Sequence, residues 1–427
     1  MAKKERFQTP TGMHDVLPEE QSYRRRIYEV VEKITDFYGF NKIDTPILEY
    51  TDLFSKGIGL DTDIIQKEMF TFKTKGEDVL SLRPEGTAPV VRAYLEAGMF
   101  NLPQPIKLWY FGPFFRHEKP QAGRFRQFWQ LGLEVLGESS SVVDAQVIQI
   151  FYNILNDLKL KNLTVEINSI GDSQCRPYYK KLLKSYLRSR EGALCTDCRN
   201  RSKTNPLRIL DCKEEKCQRI MSQAPQTIDH LCDDCHQHFK DVLEFLDEAA
   251  IPYRLNPYLV RGLDYYTKTV FEIVAQSPQG ESLGSLVGGG RYDGLAKILG
   301  GRNTAAMGGA AGIERIVAVM KEQGIVPSKT IAPKVFFSQI GQLAKIKSLK
   351  LFEDFRKANI LIVESLGRDS LRAQMSKANK LGVAYSLILG QKETLDGTII
   401  IRDMKTGKQT IAKMDKVVAE IKKMLAK

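Results

Sequence analysis

A strand pair between Ile106 and Gly137 constrains this chain more than any other stretch. The runs "IKLWYFGPFFRHE" and "FRQFWQLGLEVLG" read as two strands joined by a polar loop, Lys119 to Arg124. Side chains alternate faces along a strand. In the second run Trp129, Leu131, Leu133 and Val135 therefore point one way, and Gln130, Gly132 and Glu134 the other. Glycine weakens a strand unless something must approach it closely. A polar face with Gly132 between Gln130 and Glu134 thus points to a bound ligand, against the plainer alternative of a solvent face.

The rest of the chain arranges itself around that pair. "EEQSYRRRIYEVVEKITDFYG" predicts a helix ending near Gly39, with Ile27, Val30, Val31, Ile34 and Phe37 on its apolar face. "FNKIDTPILEY" reads as a strand interrupted at Pro46, which suits an edge or an interface. "DVLSLRPEG" is strand then turn, and "TAPVVRAYLEAG" is a helix that Thr87 can cap and Gly98 can end. A helix from about Val142 to Leu158 precedes the strand "LTVEINSIG". Residues of about 175 to 250 then change character, being rich in Cys, Lys and Arg and largely helical. Strands return at "YRLNPYLVRGLDYYTKTVFEIVA" and "GSLVGGGRYDGLAKILGG", and "AAMGGAAGIERIVAVMKEQG" predicts a glycine-rich turn entering a helix. After Pro327 and Pro333 strand and helix alternate, with Leu371, Met375, Ala378 and Leu381 marking the buried face of the middle helix. That alternation predicts a small α/β domain with a mostly parallel sheet. The expected divisions are a strand-rich core over 1–174 and 253–326, a cysteine-rich helical insertion over 175–252, and a C-terminal domain over 330–427.

No stretch reaches the roughly 18 apolar residues of a membrane span, and the N-terminal residues lack the apolar segment of a signal peptide. The expectation is a cytoplasmic protein without a membrane partner. A net charge of +12 favours a polyanionic partner such as nucleic acid. Of seven cysteines, six fall between Cys195 and Cys235. Without a secretory signal, metal ligation is a sharper reading than disulfides. The knuckles Cys195/Cys198 and Cys232/Cys235 suit a tetrahedral structural zinc. Their separation exceeds that of common ribbons, and Cys212 and Cys217 could replace one pair; the alternative is a set of reduced thiols.

Four polar constellations sit on strand ends or strand-to-helix turns: "RPEGT", "FRHE…RQFWQLGLE", "RGLDYY" and "GIER". Each carries an arginine beside carboxylates or phenols. "GGGRYDG" is not a P-loop, because no Gly-Lys-Ser/Thr follows, and its spacing is not that of a dinucleotide fingerprint. Arginines gathered with carboxylates suit phosphate chemistry on an amine-bearing substrate, since guanidinium groups match phosphate oxygens in bidentate fashion.

These motifs resemble the histidyl-tRNA synthetase family of the class II aminoacyl-tRNA synthetases over essentially the whole chain. "TPILEY" resembles the dimer-forming first class motif, "FRHEKPQAGRFRQFWQLGLE" the second and "AAGIERI" the third. "RGLDYY" and "GGGRYDGL" resemble the two histidine-specific motifs. The resemblance implies an α+β fold: an antiparallel sheet flanked by helices, a helical insertion and a C-terminal α/β anticodon-binding domain. It implies a homodimer that activates histidine with ATP and Mg²⁺ and charges tRNA(His). By resemblance Arg261 contacts the α-phosphate and the substrate carboxylate, Tyr265 hydrogen-bonds the imidazole, Tyr266 lines its pocket, and Glu134 accepts the other imidazole N–H. Glu85, Thr87 and Gln130 hold the α-amino end, with Gly86 in the same histidine-binding turn. Arg116 and Arg315 grip ATP phosphates, Glu118 is the Mg²⁺ candidate, and Gln121 reads the extra guanosine of the tRNA. Two departures from the family pattern stand out. Lys119 and Ala122 replace commoner residues of the second-motif loop, and Gly309 stands where the third motif often carries a phenylalanine. A synthetase-like regulatory subunit of histidine biosynthesis is the nearest alternative, but such chains lack the anticodon domain and erode these motifs.

Overall fold

The computed structural model describes residues 7–60, 62–120, 123–277, 282–327, 333–365, 367 and 370–426. The chain forms two compact units, Met1–Pro327 and Ser328–Lys427. In the first unit the strands are β1 (Asn41–Lys42), β2 (Leu48–Tyr50), β3 (Thr71–Lys73), β4 (Val79–Leu82), β5 (Ile106–Phe115), β6 (Gln127–Leu136), β7 (Leu163–Ser169), β8 (Tyr253–Leu255), β9 (Thr267–Gln276), β10 (Ser282–Arg291) and β11 (Ala306–Gly312). Eight of them form one sheet in the order β1-β5-β6-β11-β10-β9-β7-β8. Its pairings are antiparallel from β5 through β7, and parallel at the two outer pairs. β2, β4 and β3 make a small antiparallel sheet beside it. Pro46 lies between β1 and β2, where the sequence predicts the break.

Leu131, Leu133 and Val135 face a core built by the helices Pro18–Phe37, Ser141–Asp157 and Ile313–Glu322. Full burial of each such side chain contributes about 1.5–3 kcal/mol. The first helix opens on Pro18 with Glu19 and Glu20 in its first turn, where fixed φ and negative charge both suit a helix start. Ile27, Val30, Val31 and Ile34 are buried, but Phe37 is 83 % exposed, at the margin of that face in the last turn. The stretch before the helix Ile313–Glu322 is not a turn as its glycines suggest. It is β11, paired on both sides, so its backbone groups are satisfied within the sheet. Between β7 and β8 the chain is helical, including Arg176–Arg188, Thr196–Thr204, Glu215–Met221 and Asp233–Glu248.

The second unit holds β12 (Val335–Gln339), β13 (Ile362–Glu364), β14 (Tyr385–Leu389), β15 (Thr398–Asp403) and β16 (Gln409–Lys413), in the order β13-β12-β14-β15-β16. Its sheet is mixed rather than mostly parallel: β13, β12 and β14 run parallel, and β15 and β16 add antiparallel pairs. In the helix Leu371–Lys380 the buried positions are Gln374 and Ala378, while Leu381 is exposed. Gln374 turns inward because its amide exchanges hydrogen bonds with the Gln339 backbone, 3.1 and 2.7 Å. Among the described residues no helix is long and apolar enough to cross a membrane.

Candidate active site

The floor of the site is set by register. Tyr110, Gly132, Ala310, Gly288 and Glu272 form one row across β5, β6, β11, β10 and β9. Leu108, Glu134, Gly308, Gly290 and Val270 form another. Directly paired residues share a face, so the central strands present glycine and alanine where long side chains lie across them. A Cβ on Gly288 would strike the Arg261 guanidinium, one on Gly308 the Glu134 carboxylate, and one on Gly132 the Tyr110 ring. The space above Gly132 is therefore filled by Tyr110 and is not itself open for a ligand. On the opposite face, a Cβ on Gly309 would sit 3.1–3.2 Å from Phe151 and Phe271. Those two rings occupy the side where the third motif often places its own.

Buried carboxylates and phenols close the inner end. Glu85 caps the helix Thr87–Glu96, accepting hydrogen bonds from the Thr87 and Ala88 backbone amides at 2.7 and 2.8 Å. Thr87 does not cap the helix as the sequence predicts. Its hydroxyl donates to Glu134 at 2.7 Å instead. The Tyr292 hydroxyl donates to the other Glu134 oxygen. Glu134 is 0 % exposed and does not line the open cleft. Burial pushes its pKa up to about 8, against the opposing hydrogen bonds from Tyr292 and Thr87. Burial also raises the Glu85 carboxyl, although two backbone amides favour its charge. Tyr265 donates to Glu85 at 3.3 Å, and its ring lies 4.7 Å from that of Tyr266.

Cations gather at the outer end. Arg261 pairs with Glu272. Arg116 donates to the Pro84 carbonyl at 2.9 Å and stands 5.4 Å over the Phe128 ring. Arg315 donates to the Ser285 carbonyl at 2.8 Å. Glu118 lies 3.3 Å from Arg124 and 3.8 Å from Arg116. Glu68 is close by, its pKa raised by burial and then by the Glu118 charge. One cleft brings together Glu85, Gly86, Thr87, Arg116, Glu118, Gln130, Arg261, Tyr265, Tyr266 and Arg315. Among the described residues, Gln130 Oε1, Tyr110 Oη and Arg261 Nε are buried without a hydrogen-bond partner. Unmade bonds of this kind are costly in a finished core and are expected where a ligand completes them. Gln121 and Ala122 lie outside the described residues.

Sequence reasoning missed Tyr110, Glu272, Tyr292 and Glu68. Glu272 had a signal, a lone carboxylate in the apolar run "TVFEI". Tyr110 had none until the register set it opposite Gly132. The set Cys195, Cys198, Cys232 and Cys235 is not brought together, but the alternative in which Cys212 and Cys217 replace one pair is. Cys195 and Cys198 meet Cys212 and Cys217, whereas Cys232 and Cys235 meet Asp172 and Cys175. The second knuckle opens the helix Asp233–Glu248, which returns the chain toward β7, so the two knuckles belong to different clusters.

The architecture and motifs have close counterparts. A family model described as histidyl-tRNA synthetase matches residues 12–316, and one described as an anticodon binding domain matches residues 335–424. The histidine–tRNA ligase of Dehalococcoides mccartyi is 45 % identical over 420 residues, covering 98 % of this chain and 100 % of the relative. That of Caldicellulosiruptor bescii is 43 % identical over 423 residues, covering 99 % and 100 %. The crystal structure of apo S. aureus histidyl-tRNA synthetase superposes with a TM-score of 0.80 at 34 % identity, covering 97 % of this chain and 99 % of that one. With its cleft-bearing unit and its C-terminal unit both matched, and with relatives similar from end to end, the chain belongs to the histidyl-tRNA synthetase family.

Proposed function

We propose that this cleft makes histidyl-adenylate through Arg261, Arg116 and Arg315 and selects histidine through Glu134, Tyr265 and Tyr266. The enzyme is a ligase: it activates histidine with ATP, releasing pyrophosphate, and transfers the histidyl group to tRNA. In the first step the histidine carboxylate attacks the α-phosphorus and the α–β phosphate bond breaks. Negative charge grows on the α-phosphate oxygens, and a guanidinium already fixed by Glu272 meets it without reorganisation. Arg116 and Arg315 suit the outer phosphates. Glu118 and Glu68 supply hard oxygen donors of the kind Mg²⁺ takes, and they would hold the ion that neutralises phosphate charge when bound.

The α-amino group suits Glu85, Thr87 and Gln130, whose Oε1 is an unpaired acceptor. An imidazole offers two distinct ring nitrogens. Glu134 can accept from one while a Tyr265 or Tyr266 hydroxyl meets the other, with Tyr110 beside them. A site built on such bonds discriminates far better than an apolar pocket. The observation carrying this reading is the single cleft that gathers Arg261, Arg116, Arg315, Tyr265 and Tyr266, with Gly288 leaving room for the Arg261 guanidinium and Gly308 for the Glu134 carboxylate buried beneath it.

The reading extends to partners. The C-terminal unit, matched as an anticodon binding domain, suits tRNA, with tRNA(His) as the specific substrate and Gln121 as a contact. Ile47, Leu48 and Tyr50 are exposed apolar side chains in the first class motif, which fits a homodimer face. The protein is read as cytoplasmic, and its insertion as holding a structural zinc. Histidine-dependent exchange of labelled pyrophosphate into ATP tests the activity. Exchange with histidine and none with other amino acids is expected; equal exchange with another amino acid, or none at all, would overturn the assignment.

A further inference from the structure

Two groups of metal-ligating side chains lie at and within the helical insertion. The Sγ atoms of Cys195, Cys198, Cys212 and Cys217 all lie within 4.8 Å of one another, and so do one carboxylate oxygen of Asp172 and the Sγ atoms of Cys175, Cys232 and Cys235. A tetrahedron with Zn–S bonds of about 2.3 Å sets sulfur–sulfur distances of roughly 3.8 Å. Cys195 and Cys212 stand 3.9 Å apart, and all seven cysteines are free.

Backbone amides point at the sulfurs. The Cys198 amide donates to Cys195 at 3.4 Å, the Cys195 amide to Cys217 at 3.3 Å, and the Asp172 amide to Cys175 at 3.4 Å. Such donors stabilise thiolate charge, as metal-bound sulfur requires. Cys198, Cys212 and Cys217 are buried in the same cluster as Leu183, Leu187, Leu194 and Ile209, and cysteines supply much of what two short helices of the insertion bury. In the helix Thr196–Thr204 the buried residue is Cys198, and in Glu215–Met221 they are Cys217 and Met221. A metal held by those cysteines would add to the stability of the two short helices.

We propose that the chain binds two zinc ions, one in the four-thiolate set Cys195, Cys198, Cys212 and Cys217, and a second in the mixed set Asp172, Cys175, Cys232 and Cys235 that ties the insertion's start and its last helix to the histidine pocket. This rests on the reading of the insertion as zinc-holding and goes beyond it in number, ligands and role. The second set spans the chain's exit from β7 and the start of the helix Asp233–Glu248. Arg176, next to Cys175, donates to the Gly171 carbonyl at 2.9 Å and to the Tyr266 carbonyl at 2.6 Å. The second ion therefore holds the segment that positions Tyr266.

Full-length protein produced with zinc should carry about two zinc ions per chain by elemental analysis. Cys198→Ser and Cys235→Ser should each retain one. Replacing zinc with Co²⁺ in the wild type should give a thiolate-to-metal charge-transfer band matching seven thiolates, and Asp172→Cys should strengthen that band while keeping two metals. Cys235→Ser should also raise the KM for histidine several-fold and leave the KM for ATP nearly unchanged. One zinc, lost in Cys198→Ser but retained in Cys235→Ser, would overturn the second site and leave a single structural zinc standing. No zinc, with all seven thiols titrating freely, would overturn both. If either serine variant fails to fold, the wild-type Co²⁺ band decides, because four thiolates instead of seven excludes the mixed site. An unchanged histidine KM in a folded Cys235→Ser protein that has lost one zinc would overturn the tie to the pocket.

Discussion

Thr87 donates a hydrogen bond to Glu134 at 2.7 Å, joining the first residue of one helix to the middle of the central sheet. The acceptor is fully buried, and burial holds its pKa near 8. An unfolded glutamate titrates at about 4.3. Between those values the folded state keeps a proton that the unfolded state has lost, so stability from this group falls as pH rises and is gone above about pH 8. Glu134→Gln cannot titrate. The difference in unfolding free energy between wild type and Glu134→Gln, from urea titrations, should therefore drift against the wild type from pH 5 to pH 8, by an amount on the order of a few kcal/mol in total. A constant difference across that range would show that Glu134 ionises normally.

In the proposed reaction Arg261 meets charge that appears only as pyrophosphate leaves. Removing one preorganised donor typically costs about 10²–10³ in kcat. Arg261→Ala should lose adenylation rate by that order, with a smaller change in the KM for ATP because Arg116 and Arg315 remain. Transfer from preformed adenylate to tRNA should suffer less, since no α–β phosphate bond breaks in that step. Single-turnover assays separate the two steps, and wild-type adenylation in a folded variant would remove Arg261 from the catalytic residues.

Gly288→Ala tests the floor. The atoms a new Cβ would meet are the guanidinium atoms of Arg261, the far end of a long side chain that can swing aside at the loss of its pairing with Glu272. The protein should fold with a near-native melting temperature while the arginine is displaced. Adenylation should fall toward the level of Arg261→Ala, and combining the two changes should add little. Additive losses in the double variant would mean that Gly288 acts on something else.

Removal of the residues after Pro327 should keep histidine-dependent pyrophosphate exchange and impair charging of tRNA. The first unit holds the whole described cleft and has its own core. Loss of exchange in a folded truncation would mean that the second unit takes part in adenylation.

The sequence by itself determined the elements whose period is strong and whose ends are punctuated. The alternation from Trp129 to Val135 is the alternation of β6, and the face it predicts as apolar is the face that packs on helices. The motif residues on both sides of the insertion could be named from their order along the chain. Other features were illegible because they depend on what lies across the sheet. "AAMGGAAG" has the composition of a turn, yet it is a strand, since β6 and β10 satisfy its backbone and its small residues admit Glu134 on one face and Phe151 and Phe271 on the other. Thr87 has the composition of a helix cap, but it is the first helical residue with Gly86 at the cap position; its hydroxyl donates to the buried Glu134, and Glu85 takes the amides. Spacing could count the cysteines but not pair them: Cys195 lies nearer in sequence to Cys212 than to Cys232, and only the return of the chain to β7 brings Cys232 to Asp172 instead. Local pattern decides what a segment can become, whereas the partner of a buried polar group is decided by which segments the fold brings within a few ångströms of it.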